Sequence, residues 1–140
     1  MPRILLIDDD DLVRESLQAQ LEAAGHEVVQ AAHGGEGLTE FAAGRFDVVV
    51  TDILMPTVEG LETIKRMRAL DPGVAIIAMS GGARSLMDST RANARIDVLK
   101  FAGTFGATRT LNKPFTRVEL LRAIDDCLGG SIQARSLHKG

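Results

Sequence analysis

The sequence predicts an α/β domain: a doubly wound, five-stranded parallel sheet buried between helical layers on both faces. Three observations predict it. Short runs rich in β-branched residues alternate with longer stretches of helical period, and this unit recurs along the chain. The strand runs are apolar without alternation, as a sheet covered on both faces requires. Those runs end repeatedly in acid, hydroxyl or amine, at the carboxyl edge where crossovers on a parallel sheet gather ligand sites.

Arg3 to Ile7 is the first strand, a continuous apolar run after its opening arginine. Leu12, Val13, Leu17, Leu21 and Ala24 then recur at helical spacing up to Gly25, a C-terminal stop. Glu27 to Ala31 reads as the second strand. Gly35 to Ala43, with Leu38, Phe41 and Ala42 on one side, reads as a short helix weakened by its glycines. Phe46 to Thr51 is the third strand. After Met55-Pro56, a helix carries Leu61, Ile64, Met67 and Arg68 until Asp71-Pro72-Gly73 breaks it. Val74 to Met79 makes the fourth strand, Gly81 to Ala107 contains helical stretches, and Thr108 to Leu111 is a short fifth strand. Val118, Leu121, Ile124 and Leu128 line a final helix. Residues 1–128 thus form the domain, and 129–140 are expected to be a flexible C-terminal tail.

Composition excludes several classes. A chain of 140 residues with 45% apolar content suits one domain with its own core. A net charge of -3 supplies no basic stripe for a phosphate backbone, and without Trp or Tyr there is little base-stacking capacity, so no direct nucleic-acid partner is expected. The apolar run Ile4 to Ile7 is too short for a signal peptide, and nothing reaches the roughly 18 apolar residues of a membrane span. A cytoplasmic location is the expectation. The single cysteine, Cys127, sits in a helical pattern and reads as half-buried core.

Asp8 and Asp9 follow the first strand and Asp52 ends the third. Carboxylates gathered at strand ends repel one another unless a cation holds them, which points to a divalent metal and phosphate. Asp10 and Asp11 precede the first helix, where carboxylates cap free N–H groups and complement the helix dipole. Asp8, Asp9, Asp52, Ser80 and Lys113 all project at the carboxyl edge of the sheet.

The motifs Ile7-Asp8-Asp9, Thr51-Asp52-Ile53-Leu54-Met55-Pro56 with Gly60, Met79-Ser80-Gly81 and Lys113-Pro114-Phe115, in that order, resemble the receiver domains of two-component response regulators. The likeness covers about residues 1 to 128. It implies the flavodoxin-like strand order 2-1-3-4-5, with Asp52 as phosphoacceptor. Asp8, Asp9, Asp52 and the Leu54 carbonyl would bind Mg2+, an ion that takes octahedral oxygen ligands. Lys113 would neutralise the phosphoryl group, and Ser80 would hydrogen-bond it on activation. The peptide before Pro114 is cis in the family. A sensor histidine kinase or histidine phosphotransfer protein would supply the phosphoryl group, and a downstream target would read it out. The domain would be a signalling phosphoacceptor, stand-alone or excised from a longer chain, not a turnover enzyme.

Two departures from the family pattern bear on output. Thr110 stands where receivers commonly carry an aromatic residue, and Ser80 and Lys113 lie 33 positions apart, a longer span than usual. An insertion within Gly81 to Ile96 is expected, giving an enlarged region after the fourth strand and a modified partner surface. Apolar Leu54 and bare Gly82, where other receivers place polar groups that orient the hydrolytic water, predict slow autodephosphorylation.

Asp9-Asp10-Asp11-Leu12-Val13 also fits the signature of haloacid-dehalogenase-type phosphatases, with Asp9 as nucleophile and Asp11 as general acid. That alternative lacks room for a cap domain and a late acidic metal-ligand pair.

Overall fold

The computed structural model describes residues 2–53, 58–81 and 106–139, with side chains described for 2–52, 62–79 and 106–129. Its elements are β1 (Arg3–Ile7), α1 (Asp11–Ala23), β2 (Glu27–Ala31), α2 (Gly34–Ala43), β3 (Val48–Ile53), α3 (Val58–Leu70), β4 (Ala75–Gly81), β5 (Arg109–Lys113) and α4 (Arg117–Lys139). The strands form one parallel sheet in the order β2-β1-β3-β4-β5. This is the flavodoxin-like arrangement, whose crossovers reverse direction between β1 and β3.

Alternation along each strand sorts the core into two halves. Leu5, Ile7, Val49, Ile76 and Ala78 pack with Phe41, Ile64 and Met67 beneath α2 and α3. Ile4, Leu6, Val48, Val50, Ile77 and Met79 pack with Leu17, Leu21, Leu120, Ala123 and Ile124 beneath α1 and α4. Both faces of β1 and β3 are therefore sealed, and Ile4, Leu5, Leu6, Val48, Val49 and Val50 are fully buried.

Local chemistry sets the helix ends. Asp10 caps α1 by accepting from the backbone N–H groups of Leu12 (3.0 Å) and Val13 (3.2 Å). Past α1, Gly25 adopts φ 93° and returns its N–H to the Glu22 carbonyl at 3.0 Å, a left-handed stop that glycine tolerates best. Thr116 and Glu119 form a reciprocal capping box at the start of α4. The Thr116 hydroxyl accepts from Glu119 N–H at 3.1 Å, while the Glu119 carboxylate accepts from Thr116 N–H at 3.2 Å.

Three strands differ at their ends from the sequence reading. β3 begins at Val48 rather than Phe46 and runs past Thr51 to Ile53, so Asp52 lies inside the strand. β4 continues to Gly81, and β5 continues to Lys113. Hydrophobicity ends before backbone pairing does: Asp52 pairs with Met79, Ser80 with Asn112 and Gly81 with Lys113. The last helix likewise continues through Gly129 and Gly130 to Lys139, where the reading placed its end at Leu128. Gln133, Ala134, Arg135, Leu137 and Lys139 favour that continuation, against about 1 kcal/mol for each glycine. Cys127 is free and half-buried, and burial pushes its thiol pKa up. Among the described residues, no helix is long and apolar enough to cross a membrane.

Candidate metal and phosphoacceptor site

The alternation that sorts the core also aims the polar residues. Asp8 continues the register of Ile4 and Leu6, Asp52 that of Val48 and Val50, and Lys113 that of Leu111. All three emerge on the α1 and α4 side of the carboxyl edge. Because β1 neighbours β3, with Ile7 beside Thr51, the two acidic strand ends meet at the point where the crossovers reverse.

One carboxylate oxygen from each of Asp8, Asp9 and Asp52 lies within 4.8 Å of the others. Asp8 and Asp52 are almost wholly enclosed, whereas Asp9 is exposed. The Lys113 ammonium lies 2.9 Å from Asp8 Oδ2 and 3.2 Å from Asp52 Oδ1. Asp8 Oδ1 accepts from the Asp10 N–H at 2.9 Å. The Lys113-Pro114 peptide is cis.

Burial pushes the Asp52 carboxyl up to about 6 from its ordinary 3.8; Lys113 pulls it back, while the charges of Asp8 and Asp9 drive it further up. Burial acts to lower the Lys113 ammonium, but the Asp52 charge and then Asp8 outweigh it and hold its pKa above the ordinary value. One ammonium thus pairs with two of the three grouped carboxylates and leaves an acidic excess.

That excess and the donor set fit a small hard cation. An octahedral ion with oxygens at about 2.0–2.1 Å spans about 4.2 Å between opposite ligands, inside the 4.8 Å that bounds the separations of these oxygens. Lys113 supplies a compact charge at the edge of the same cluster.

The other residues singled out in the sequence stand as follows. Ser80 lies in β4 beside Ile53 and Asn112, at the same edge, with its side chain outside the described atoms. Leu54, Gly82 and the stretch 82–105, where the enlarged region was expected, lie outside the described residues. Thr110 is exposed in β5 beside Ala78. Asp10 caps α1 as expected, while Asp11 is the first residue of that helix and pairs with Arg14 at 2.6 Å. Asp11 is not among the grouped carboxylates, and its carboxylate is held by Arg14, which does not favour the general-acid role that the phosphatase alternative needs. Arg14 escaped the sequence reading. Its only local signal was an arginine three residues after Asp11.

The comparisons agree with this geometry. The model of the response regulator receiver domain matches residues 4–125. The transcriptional regulatory protein PrrA of Mycobacterium tuberculosis is 35% identical over 123 residues, covering 88% of this chain and 48% of PrrA. The chain spans about half the length of the curated relatives it matches. A response regulator receiver domain protein from Clostridium thermocellum is 28% identical, with TM-score 0.80 over 96% of this chain and 99% of that one. Response regulator TrrA from Thermotoga maritima, solved in complex with Mg2+-BeF, is 28% identical, with TM-score 0.71 over 91% of this chain and 99% of its own. With its five-stranded order, its acidic strand ends and a family match over most of its length, the chain belongs to the response regulator receiver domain family.

Proposed function

We propose that this domain accepts a phosphoryl group on Asp52, with Mg2+ held by Asp8, Asp9, Asp52 and the Leu54 carbonyl, and that the event switches a protein-interaction surface. The observation that carries the reading is the grouping of three carboxylates within 4.8 Å, with Lys113 3.2 Å from Asp52. The donor is a sensor histidine kinase or histidine phosphotransfer protein, and the recipient of the signal is a downstream target protein. PrrA extends well beyond the matched half, so the same switch suits either a stand-alone receiver or one attached to further domains.

In this reading an Asp52 carboxylate oxygen attacks phosphorus, and the bond from phosphorus to the donor nitrogen breaks as the acyl phosphate forms. The bound Mg2+ would neutralise charge on the phosphoryl oxygens. Lys113 offsets the charge that arrives on Asp52, and Asp8 keeps that ammonium in place. Ser80 offers a hydroxyl to a phosphoryl oxygen and draws its loop inward. Beryllofluoride with Mg2+ occupies the solved TrrA relative, which supports using the same probe here.

The test is acetyl-phosphate labelling with Mg2+, followed by mapping of the modified residue. Label on Asp52 and none in Asp52→Asn is the expected result. Label on Asp9, or label that persists in Asp52→Asn, overturns the assignment.

A further inference from the structure

Arg14, one turn into α1, ties three elements together behind the acidic cluster. Its Nε donates to Gln30 Oε1 of β2 at 2.7 Å. One terminal nitrogen donates to the Asp8 carbonyl at 2.7 Å, and the other donates to Asp11 Oδ1 at 2.6 Å. The side chain is only 13% exposed, so the fork is enclosed as well as bonded. A guanidinium is planar and its donor directions are fixed, so acceptors on β2, on α1 and on the residue that follows β1 are locked into one geometry.

The Asp8 carbonyl belongs to the peptide that joins Asp8 to Asp9. Whatever holds that oxygen sets the plane of the link between the two carboxylates. The Asp8 carboxylate is itself held by the Asp10 N–H on Oδ1 and the Lys113 ammonium on Oδ2, each at 2.9 Å. Asp9 is exposed, and its direction follows from the same peptide.

We infer that Arg14 is a positioning residue of the cation site: it orients the Asp8-Asp9 peptide so that both carboxylates converge with Asp52, and Gln30 in turn aligns Arg14. This rests on the Mg2+-dependent reading of the site given above. A residue that merely clamps α1 to the sheet would change stability and leave cation affinity alone, whereas a positioning residue changes affinity in a chain that remains folded.

The experiment is a calorimetric Mg2+ titration of the full chain as wild type, Arg14→Met, Arg14→Lys and Gln30→Leu, each first checked for folding by urea denaturation. Arg14→Met is expected to weaken Mg2+ binding about 10-fold or more, as loss of a group that orients metal ligands commonly does. Arg14→Lys should lose nearly as much, since one ammonium cannot span three acceptors, and Gln30→Leu roughly threefold. Asp52 labelling by acetyl phosphate should need correspondingly more Mg2+, yet reach within about twofold of the wild-type rate at saturation. Wild-type affinity in folded Arg14→Met, or full recovery in Arg14→Lys, overturns the inference. If Arg14→Met does not fold, unchanged affinity in Gln30→Leu overturns it instead. Failure of the wild-type chain to bind Mg2+ or to label on Asp52 defeats the underlying reading, which separates the two failures.

Discussion

Lys113 and Asp52 meet across an intervening strand: the ammonium on β5 lies 3.2 Å from the carboxylate on β3, although β4 separates them in the sheet. Asp52 pairs with Met79 and Lys113 with Gly81, so the lysine stands two residues further along and its stem leans back over the end of β4. Replacing it with methionine leaves two enclosed carboxylates without their cation. The expected cost is about 3 kcal/mol in metal-free protein, since removal of one partner strands the other charges. Saturating Mg2+ should recover part of that loss, and Asp52 labelling should slow roughly 100-fold. Urea denaturation with and without Mg2+, beside labelling rates, measures both effects. An equal deficit in the two denaturation series would count against cation compensation.

The Asp52 carboxyl at about 6 carries a sign that can be tested. The folded pKa exceeds the unfolded value of 3.8, so between these two limits the folded state binds more protons than the unfolded one. Metal-free stability attributable to Asp52 therefore falls as pH rises from about 4 to about 6, and the full cost of about 3 kcal/mol persists above that window. Asp52→Asn should be more stable than wild type at pH 7.5, and the advantage should vanish near pH 4. Mg2+ affinity should run the other way, weakening as pH drops through about 6 because the proton competes for the ligand. Denaturation and Mg2+ titrations at stepped pH check both slopes.

Much of this was legible in the sequence because a parallel sheet sealed on both faces writes itself as unbroken apolar runs. Ile4 to Ile7 and Val48 to Val50 mark their strands without ambiguity. The ends were less legible. Phe46 carries an apolar signal that extends the strand run, but it precedes β3 and stacks on Phe41 with ring centroids 6.3 Å apart, filling the core from a loop. Asp52 and Lys113 are strand residues by pairing, a property that hydrophobicity does not report. Asp8, Asp9, Asp52 and Lys113 were nameable because each follows an apolar run. Arg14 was not, since its place depends on a coincidence of β1, β2 and α1 that no local pattern encodes.

Two glycines in helices should respond oppositely to alanine. A Cβ on Gly37 would sit 2.4 Å from Ile7 Cδ1 and 2.9 Å from Ile7 Cγ1, and Ile7 is itself packed at 3% exposure. Gly37→Ala should therefore cost about 1–3 kcal/mol despite the better helix propensity of alanine. Ile7→Val removes the nearer of those two carbons, so the double variant should be less destabilised than the sum of the singles. Gly129 has nothing within 4 Å of the same position and lies in α4, so Gly129→Ala should gain up to about 1 kcal/mol. No gain in thermal denaturation would argue that the helix stops at Leu128 after all.

Arg68 tests whether the two ends of the sheet are energetically separate. From the last turn of α3 its guanidinium donates to the carbonyls of Pro72, Val74 and Gly106 and to the Thr108 hydroxyl. Thr108 in turn accepts from Ile76 N–H at 3.0 Å and donates its own N–H to the Ile76 carbonyl at 2.7 Å. These contacts bind the beginnings of β4 and β5 to α3, at the edge opposite Asp52. Methionine there would leave several carbonyls without a donor, at a cost of about 2–4 kcal/mol. Lysine should restore only part, because it cannot fork across separate acceptors. Amide exchange should accelerate first at Thr108 and Ile76, while Asp52 labelling in the folded variant stays within about twofold of wild type. A labelling rate that fell in step with stability would show instead that α3 and the starts of β4 and β5 hold the acidic edge in place.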